Sequence, residues 1–148
     1  MADAATPPKP LWTKELELGI PLIDGQHRKL VAHLQDLDRA VHQGRPMSEV
    51  SECIDFLTEY TAEHFHTEER FLADKRYPDL EAHKQQHAAF KANVAKAARA
   101  VQTRLAAEQS VKLVQSMVVH WYLDHIRGTD QKYAIYLRDK GLLKPAKK

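Results

Sequence analysis

Apolar residues recur at spacings of three and four through most of this chain, and few residues interrupt the pattern. The 148 residues include only five glycines and seven prolines. Such spacing places the apolar side chains along one face of an α-helix. The main breaks fall at Gly44-Arg45-Pro46, at Tyr77-Pro78-Asp79 and at Gly128-Thr129. The pattern predicts four long helices and a short fifth, over residues 23–43, 48–74, 80–106, 110–127 and 130–139.

Four amphipathic helices with short connections indicate an all-α fold, specifically an antiparallel four-helix bundle of up-down-up-down topology. A length of 148 residues fits one domain. We expect the bundle over residues 11–140, with the short helix at its C-terminal end. A disordered, Pro- and Ala-rich N-terminal arm at 1–10 precedes it, and a basic tail at 141–148 follows it. Asp79 is a candidate N-cap for the third helix.

The predicted apolar faces also carry side chains that do not suit a core. Five of the nine histidines fall on these faces, together with one glutamate. Burying a carboxylate costs several kcal/mol unless a partner compensates it. Ordinary packing accounts for one buried histidine, whereas a metal site inside the bundle accounts for the whole set. The set consists of His27, His64, Glu68, His83, His87 and His125.

Two pairs within this set have the sequence spacing of metal ligands. His64 and Glu68 are four positions apart, and so are His83 and His87. Residues four apart lie one turn apart on the same helix face. Both members of each pair can therefore reach one metal ion or two adjacent ions.

Asp130 is a candidate second carboxylate of the same site. It follows His125 by five positions and would not align with it on a continuous α-helix. Because Gly128 and Thr129 lie between the two residues, we expect a helix break there that turns Asp130 back toward the other ligands.

Five imidazoles and two carboxylates constrain the choice of metal. One zinc ion takes about four ligands, and calcium and magnesium prefer oxygen. Mixed nitrogen and oxygen donors in this number suit iron or manganese. If both carboxylates bridge two iron ions, one coordination position stays open for a small ligand.

Two other metal motifs fit the sequence less well. His83 and His87 frame a metalloprotease-like segment, but Lys84 stands where the general-base glutamate belongs. Ferritin-like di-iron proteins use two Glu-x-x-His motifs. The chain has one, from Glu63 to His66, and it lies off the buried stripe.

The candidate ligands sit in four longer segments whose order and separations are highly specific together. The segments are Ile23-Asp24-Gly25-Gln26-His27, His64-Phe65-His66-Thr67-Glu68-Glu69, His83-Lys84-Gln85-Gln86-His87 and Trp121-Tyr122-Leu123-Asp124-His125-Ile126. Trp12, Gly19, Tyr77-Pro78 and Thr129-Asp130 accompany them. Over residues 12–138 the chain resembles the hemerythrin family, in particular its bacterial single-domain members, the bacteriohemerythrins.

The resemblance implies a four-helix bundle that binds dioxygen at a non-haem di-iron site with an oxo or hydroxo bridge. By the family's pattern, the ligands are His83, His87 and His125 on the six-coordinate iron, His27 and His64 on the iron that takes up dioxygen, and Glu68 and Asp130 as bridges. The expected walls of the dioxygen pocket are Leu30, Phe65, Trp121, Tyr122 and Ile126.

Tyr122 departs from the family pattern, because members commonly carry an aliphatic residue directly after this tryptophan. A hydroxyl that faces the pocket would hydrogen-bond dioxygen or admit water, and one at the bundle rim would do neither. The leading hypothesis is a binding protein, not an enzyme, that stores, delivers or senses oxygen. The alternative is a di-iron oxidoreductase that acts on dioxygen, peroxide or nitric oxide. An interaction module that reports oxygen or redox state to a separate protein is a third.

Charge and composition favour a cytoplasmic protein. Lys and Arg total 22 and Asp and Glu total 20, so the net charge of +2 argues against a nucleic-acid binder. The single cysteine, Cys53, excludes a disulfide scaffold and is expected to be a small buried hydrophobe. The first residues lack the features of a secretory signal, and no apolar run approaches the ~18 residues of a membrane span. The sequence identifies neither a protein partner nor an oligomeric state.

Overall fold

The computed structural model describes residues 11–103, 109 and 112–145. Throughout these ranges the regular structure is helical, and they include no strand. A short 3-10 helix, Lys14–Leu16, comes first. Three long helices follow: α1 Pro21–His42, α2 Met47–Asp74 and α3 Leu80–Gln102. The fourth helix, α4, consists of four consecutive segments, Val114–His120, Trp121–His125, Ile126–Asp130 and Gln131–Asp139. The predicted arm at 1–10 and the end of the predicted tail at 146–148 lie outside the described residues.

The four helices pack into a bundle around one main core. α1 contacts α2, α2 contacts α3, and the first segment of α4 contacts both α3 and α1. The core cluster takes apolar side chains from all four helices, including Leu34, Leu57, Phe90 and Val118. An all-helical bundle is therefore confirmed. None of the helices in the described part of the chain has the length and apolar character needed to span a bilayer.

The three-and-four spacing predicts the buried faces of α1 and α3 well. The spacing puts six residues on the buried face of the first helix, and all six are buried: Ile23, His27, Leu30, Leu34, Leu37 and Val41. The buried face of α2 is rotated slightly from the face that the spacing selects. The spacing selects Cys53 and Tyr60, which are half-buried, whereas Ile54 and Thr61 are buried. The prediction that Cys53 is a buried hydrophobe was therefore wrong. α3 ends at Gln102, earlier than the predicted 106, and the predicted position of Leu105 on its face lies outside the described residues.

The buried face of α4 differs from the prediction because its first segment, Val114–His120, is a π-helix. A π-helix bonds residue i to residue i+5 and so holds more residues per turn than an α-helix. The α-helical spacing selects Met117 and Trp121, which are only half-buried. The structure instead buries Val118 and Tyr122, one position further along.

The predicted helix break at Gly128 and Thr129 was also wrong. The backbone stays helical from His125 to Gln131, and Ile126–Asp130 forms a second π-helical segment. A π-helical turn brings residues five apart onto one face, so Asp130 reaches the same side as His125 without a break. The predicted separate fifth helix is the continuation of α4.

The segment before α1 is tied to the first and the last helix of the bundle. The buried Asp24 carboxylate accepts hydrogen bonds from the backbone N–H groups of Leu18, at 2.8 Å, and Gly19, at 3.0 Å. From α4, Arg138 donates to the Leu18 carbonyl, and Gln131 donates to backbone carbonyls of the same segment. These bonds hold the N-terminal segment against the half of α4 that carries Asp130.

Candidate metal centre

The structure brings all seven candidate ligands into one buried cluster. The five histidines are 0–3% exposed and both carboxylates are 0% exposed. Each of the four helices contributes at least one of them. The contributions are His27 from α1, His64 and Glu68 from α2, His83 and His87 from α3, and His125 and Asp130 from α4.

One half of the cluster contains two histidines. His27 Nε2 lies 3.2 Å from Asp130 Oδ2 and 3.5 Å from Glu68 Oε2. His64 Nε2 lies 3.4 Å from the same Glu68 oxygen. We call His27 and His64, with these two oxygens, the two-histidine half.

The other half contains three histidines. His83 Nε2 lies 2.6 Å from Glu68 Oε1 and 3.3 Å from Asp130 Oδ1. His87 Nε2 lies 3.1 Å from Glu68 Oε1, and His125 Nε2 lies 3.1 Å from Asp130 Oδ1. Each carboxylate thus turns one oxygen toward each half, which is the arrangement of a bridging ligand. We call this side the three-histidine half.

The unsatisfied atoms of the cluster fit a cation in each half. Buried polar groups in proteins almost always find a hydrogen-bond partner. In this cluster several imidazole nitrogens lie 3.1–3.5 Å from carboxylate oxygens, but these pairs do not have the geometry of a hydrogen bond. Several of these atoms have no other hydrogen-bond partner in the described part of the chain. These orphaned atoms are Nε2 of His27, His64 and His125 and both carboxylate oxygens of Asp130. A metal ion coordinated by them would satisfy imidazole and carboxylate donors together.

The carboxylates carry negative charge inside the core. Burial opposes ionisation of Glu68, but the close approach of His27, His64, His83 and His87 outweighs it and holds its pKa well below the usual value. Burial and the charge of Glu68 raise the pKa of Asp130, yet His125 and His27 lower it to about 2. Both groups are therefore anionic at neutral pH. The cluster has the charge that a bound cation would balance.

The same carboxylates act on the histidines. Burial alone lowers the pKa of His27, but the adjacent carboxylates of Asp130 and Glu68 raise it to about 9. Burial dominates at His64 and lowers its pKa. A metal ion must therefore displace a proton from His27, whereas His64 already presents a neutral ring.

Outer side chains orient three of the histidines through their second ring nitrogen. Metal-binding histidines usually make such a hydrogen bond, which sets the tautomer and the direction of the ring. The pairs are His64 Nδ1 with Gln26 Oε1 at 2.7 Å, His87 Nδ1 with Glu69 Oε2 at 3.1 Å, and His125 Nδ1 with Gln86 Oε1 at 2.9 Å.

The sequence did not predict that Gln26, Glu69 and Gln86 orient ligand histidines. It also did not predict that Tyr133 hydrogen-bonds a ligand carboxylate. The Tyr133 hydroxyl donates to Glu68 Oε2 at 3.0 Å. Gln26 and Gln86 directly precede the ligands His27 and His87, and Tyr133 follows Asp130 by three positions. A polar residue beside a ligand, or one helical turn from it, is the signal that could have found them.

The five predicted pocket walls are buried or half-buried, and three of them, Phe65, Trp121 and Tyr122, lie against histidines of the cluster. Leu30, Phe65, Tyr122 and Ile126 are 0% exposed, and Trp121 is half-buried. The Phe65 ring stacks on His87 at 3.8 Å between centroids, and the Trp121 ring stacks on His125 at 5.1 Å. The Tyr122 hydroxyl is buried, which rules out the bundle rim and leaves the interior placement of the two that the sequence allowed.

Phe90 belongs to the same wall and was missed as a pocket residue. It packs between Phe65, Trp121 and Tyr122 with centroid distances of 5.0–5.8 Å. The histidines that were not predicted as ligands lie outside the cluster. His42, His66 and His120 are exposed and His33 is half-buried.

A surface cavity of about 460 Å³ opens beside the two-histidine half. It lies between α1 and α2 and reaches His64 at its inner end. Gln26, which pairs with His64, also lines it. The other lining residues are Lys29, Phe56, Glu59, Tyr60 and Glu63.

The bundle holds a buried cluster of five histidines and two carboxylates between its helices. This arrangement is typical of metal-binding helical bundle proteins. Residues 18–137 match the profile of the hemerythrin HHE cation binding domain. The chain belongs to the hemerythrin family.

Curated relatives agree with this assignment over most of the chain. A bacteriohemerythrin from Stenotrophomonas maltophilia is 36% identical over 124 residues, which cover 84% of this chain and 78% of that protein. A bacteriohemerythrin from Pseudomonas aeruginosa is 31% identical over 129 residues, covering 86% and 81%. A myohemerythrin from Theromyzon tessulatum is 28% identical over 122 residues, covering 82% and 88%.

Proposed function

We propose that this chain binds dioxygen reversibly at a non-haem di-iron centre. The observation that carries the proposal is the division of the carboxylate oxygens. Glu68 and Asp130 each face the two-histidine half with one oxygen and the three-histidine half with the other. Two metal ions bridged by both carboxylates fit that division, and membership of the hemerythrin family favours iron.

The unequal donor count suggests where the ligand binds. In our assignment His83, His87 and His125 hold one iron, and His27 and His64 hold the other. The iron held by His27 and His64 would have one fewer nitrogen donor, which would leave a coordination position for a small ligand on that side. Two iron ions in this site would supply that open position and the electrons that dioxygen uptake requires.

The surrounding residues protect this position from water. Leu30, Phe65 and Ile126 are fully buried and leave the interior apolar. Reversible binding requires such exclusion, since water and protons promote side reactions of a reduced oxygen species. The surface cavity that reaches His64 is our proposed route for dioxygen from solvent.

The proposal includes further points of organisation. We assign the function to residues 11–140, with α1 to α4 in up-down-up-down order. We place the protein in the cytoplasm, because its one cysteine, Cys53, is free and suits a reducing compartment. The role is binding rather than catalysis, consistent with relatives named bacteriohemerythrin and myohemerythrin.

An optical experiment tests the proposal. Iron-loaded, reduced protein exposed to air should develop a charge-transfer band and lose it under vacuum, with two iron ions bound per chain.

His64→Ala should abolish the band, whereas His66→Ala, which alters an exposed histidine two positions away, should not. Oxygen binding retained by His64→Ala would overturn the ligand assignment. One zinc ion per chain would overturn the di-iron centre, and irreversible oxidation with peroxide turnover would indicate an oxidoreductase.

A further inference from the structure

Tyr122 has a buried hydroxyl without a hydrogen-bond partner among the described residues. The side chain is 0% exposed. Leaving such a group unsatisfied in a core is unfavourable, so an unpaired buried hydroxyl calls for an explanation. The surrounding side chains indicate what it is available to bind.

The Tyr122 ring is held between the two halves of the cluster. Its centroid lies 6.3 Å from His27, in the two-histidine half, and 6.0 Å from His125, in the three-histidine half. Phe65 stacks on it at 6.1 Å, and Phe90 meets it edge-on at 5.0 Å. Packing on several sides fixes the ring, so the hydroxyl cannot turn to solvent.

The hydroxyl stays protonated and can only donate to an incoming anion. Burial raises the pKa of Tyr122 well above its usual value, and the charges of Asp130 and Glu68 and the nearby Tyr60 raise it further. Tyr60 lines the surface cavity next to His64.

Tyr133 provides an internal comparison. It is also fully buried beside the cluster, but its hydroxyl donates to Glu68 Oε2 at 3.0 Å. The Tyr133 hydroxyl is thus hydrogen-bonded to a protein carboxylate, whereas the Tyr122 hydroxyl has no such partner among the described residues. The uncommitted donor lies between His27 and His125, so it borders the two-histidine half, where our assignment leaves a coordination position open.

We propose that Tyr122 donates a hydrogen bond to the small ligand that binds in the two-histidine half. The inference rests on the proposed function and adds a specificity to it. Ligands with an acceptor atom, such as dioxygen or a small anion, are favoured over ligands of similar size that accept hydrogen bonds poorly.

Azide binding to the full-length, iron-loaded, oxidised protein tests this inference. Azide is a small anion whose binding to ferric iron can be followed by absorbance. A hydrogen bond to a charged group corresponds to a roughly ten- to hundred-fold change in affinity. Tyr122→Phe should weaken azide binding by that factor. Tyr136→Phe changes a half-buried tyrosine outside the site and should leave the affinity within about twofold of the wild type.

The melting temperature of the metal-free protein gives an independent readout. Tyr122→Phe should leave it unchanged or raise it, because the variant removes an unsatisfied group. A lower melting temperature would mean that the hydroxyl has a structural partner, which overturns the inference. Unchanged azide affinity in Tyr122→Phe overturns it as well but leaves the di-iron proposal standing. A wild-type protein that binds neither iron nor azide overturns both.

Discussion

Gln86 offers a way to separate metal affinity from fold stability. Its side-chain oxygen accepts from His125 Nδ1 at 2.9 Å and from the Thr129 hydroxyl at 2.7 Å, yet the residue itself is exposed. Gln86→Ala removes both bonds without opening a cavity in the core. If His125 is a metal ligand, the variant should disturb its orientation more than it disturbs the fold.

The two expected magnitudes differ clearly. Water can replace Gln86 at this exposed position, so the loss of folding stability should be about 1 kcal/mol, or about 2–4 °C in melting temperature for a chain of this length. Loss of an orienting partner of a metal-bound histidine costs roughly 10–100-fold in metal affinity. That factor corresponds to about 1.4–2.7 kcal/mol in binding free energy.

Chelator competition on the iron-loaded protein measures the affinity, and thermal unfolding of the metal-free protein measures the stability. Gln85→Ala is the matched control, since Gln85 is the preceding, exposed glutamine. Gln86→Glu should recover most of the affinity, because a carboxylate can still accept from His125. Metal affinity within about twofold of the wild type in Gln86→Ala would refute the orienting role, since the expected loss is at least about tenfold.

Two further predictions concern stability. Tyr133→Phe removes the donor to Glu68 Oε2 and should destabilise the metal-free protein by about 1.5–3 kcal/mol in urea unfolding; a variant as stable as the wild type would show that this bond contributes nothing. Metal removal should lower the melting temperature, because metal present at about 1,000 times its Kd stabilises the fold by about 4 kcal/mol, or roughly 8–16 °C here. Identical melting curves for the loaded and chelated protein would argue against a metal site in this cluster.

The residues that sequence reasoning placed well are those on regular α-helices. In α1 and α3 the spacing of three and four predicts the buried His27, His83 and His87. Such prediction needs only the 3.6-residue period and the rarity of unpaired polar groups in a core. The bundle and the convergence of the ligands follow from the same two considerations.

The parts that sequence reasoning placed poorly lie in α4. A period of 3.6 residues selects Trp121 for the core, but the π-helical first segment buries Tyr122 instead. Gly128 was predicted to break the helix. The π-helical turn instead places His125 and Asp130, which are five positions apart, on one side of a continuous helix. No residue type signals a π-helix in the way that proline signals a break, because the irregularity is stabilised by packing and by the ligand cluster.

In the second π-helical segment, Ile126–Asp130, the number of residues between His125 and Asp130 matters more than the identity of Gly128. A Cβ added at Gly128 would meet no atom within 4 Å, so many side chains fit at that position. A one-residue deletion would instead rotate everything that follows by about 100°, which would carry Asp130 away from His125 and Tyr133 away from Glu68. In a lineage of such proteins, the exposed Arg127 and Gly128 should accept substitutions while Asp130 is kept, and insertions and deletions in this stretch should be removed by selection.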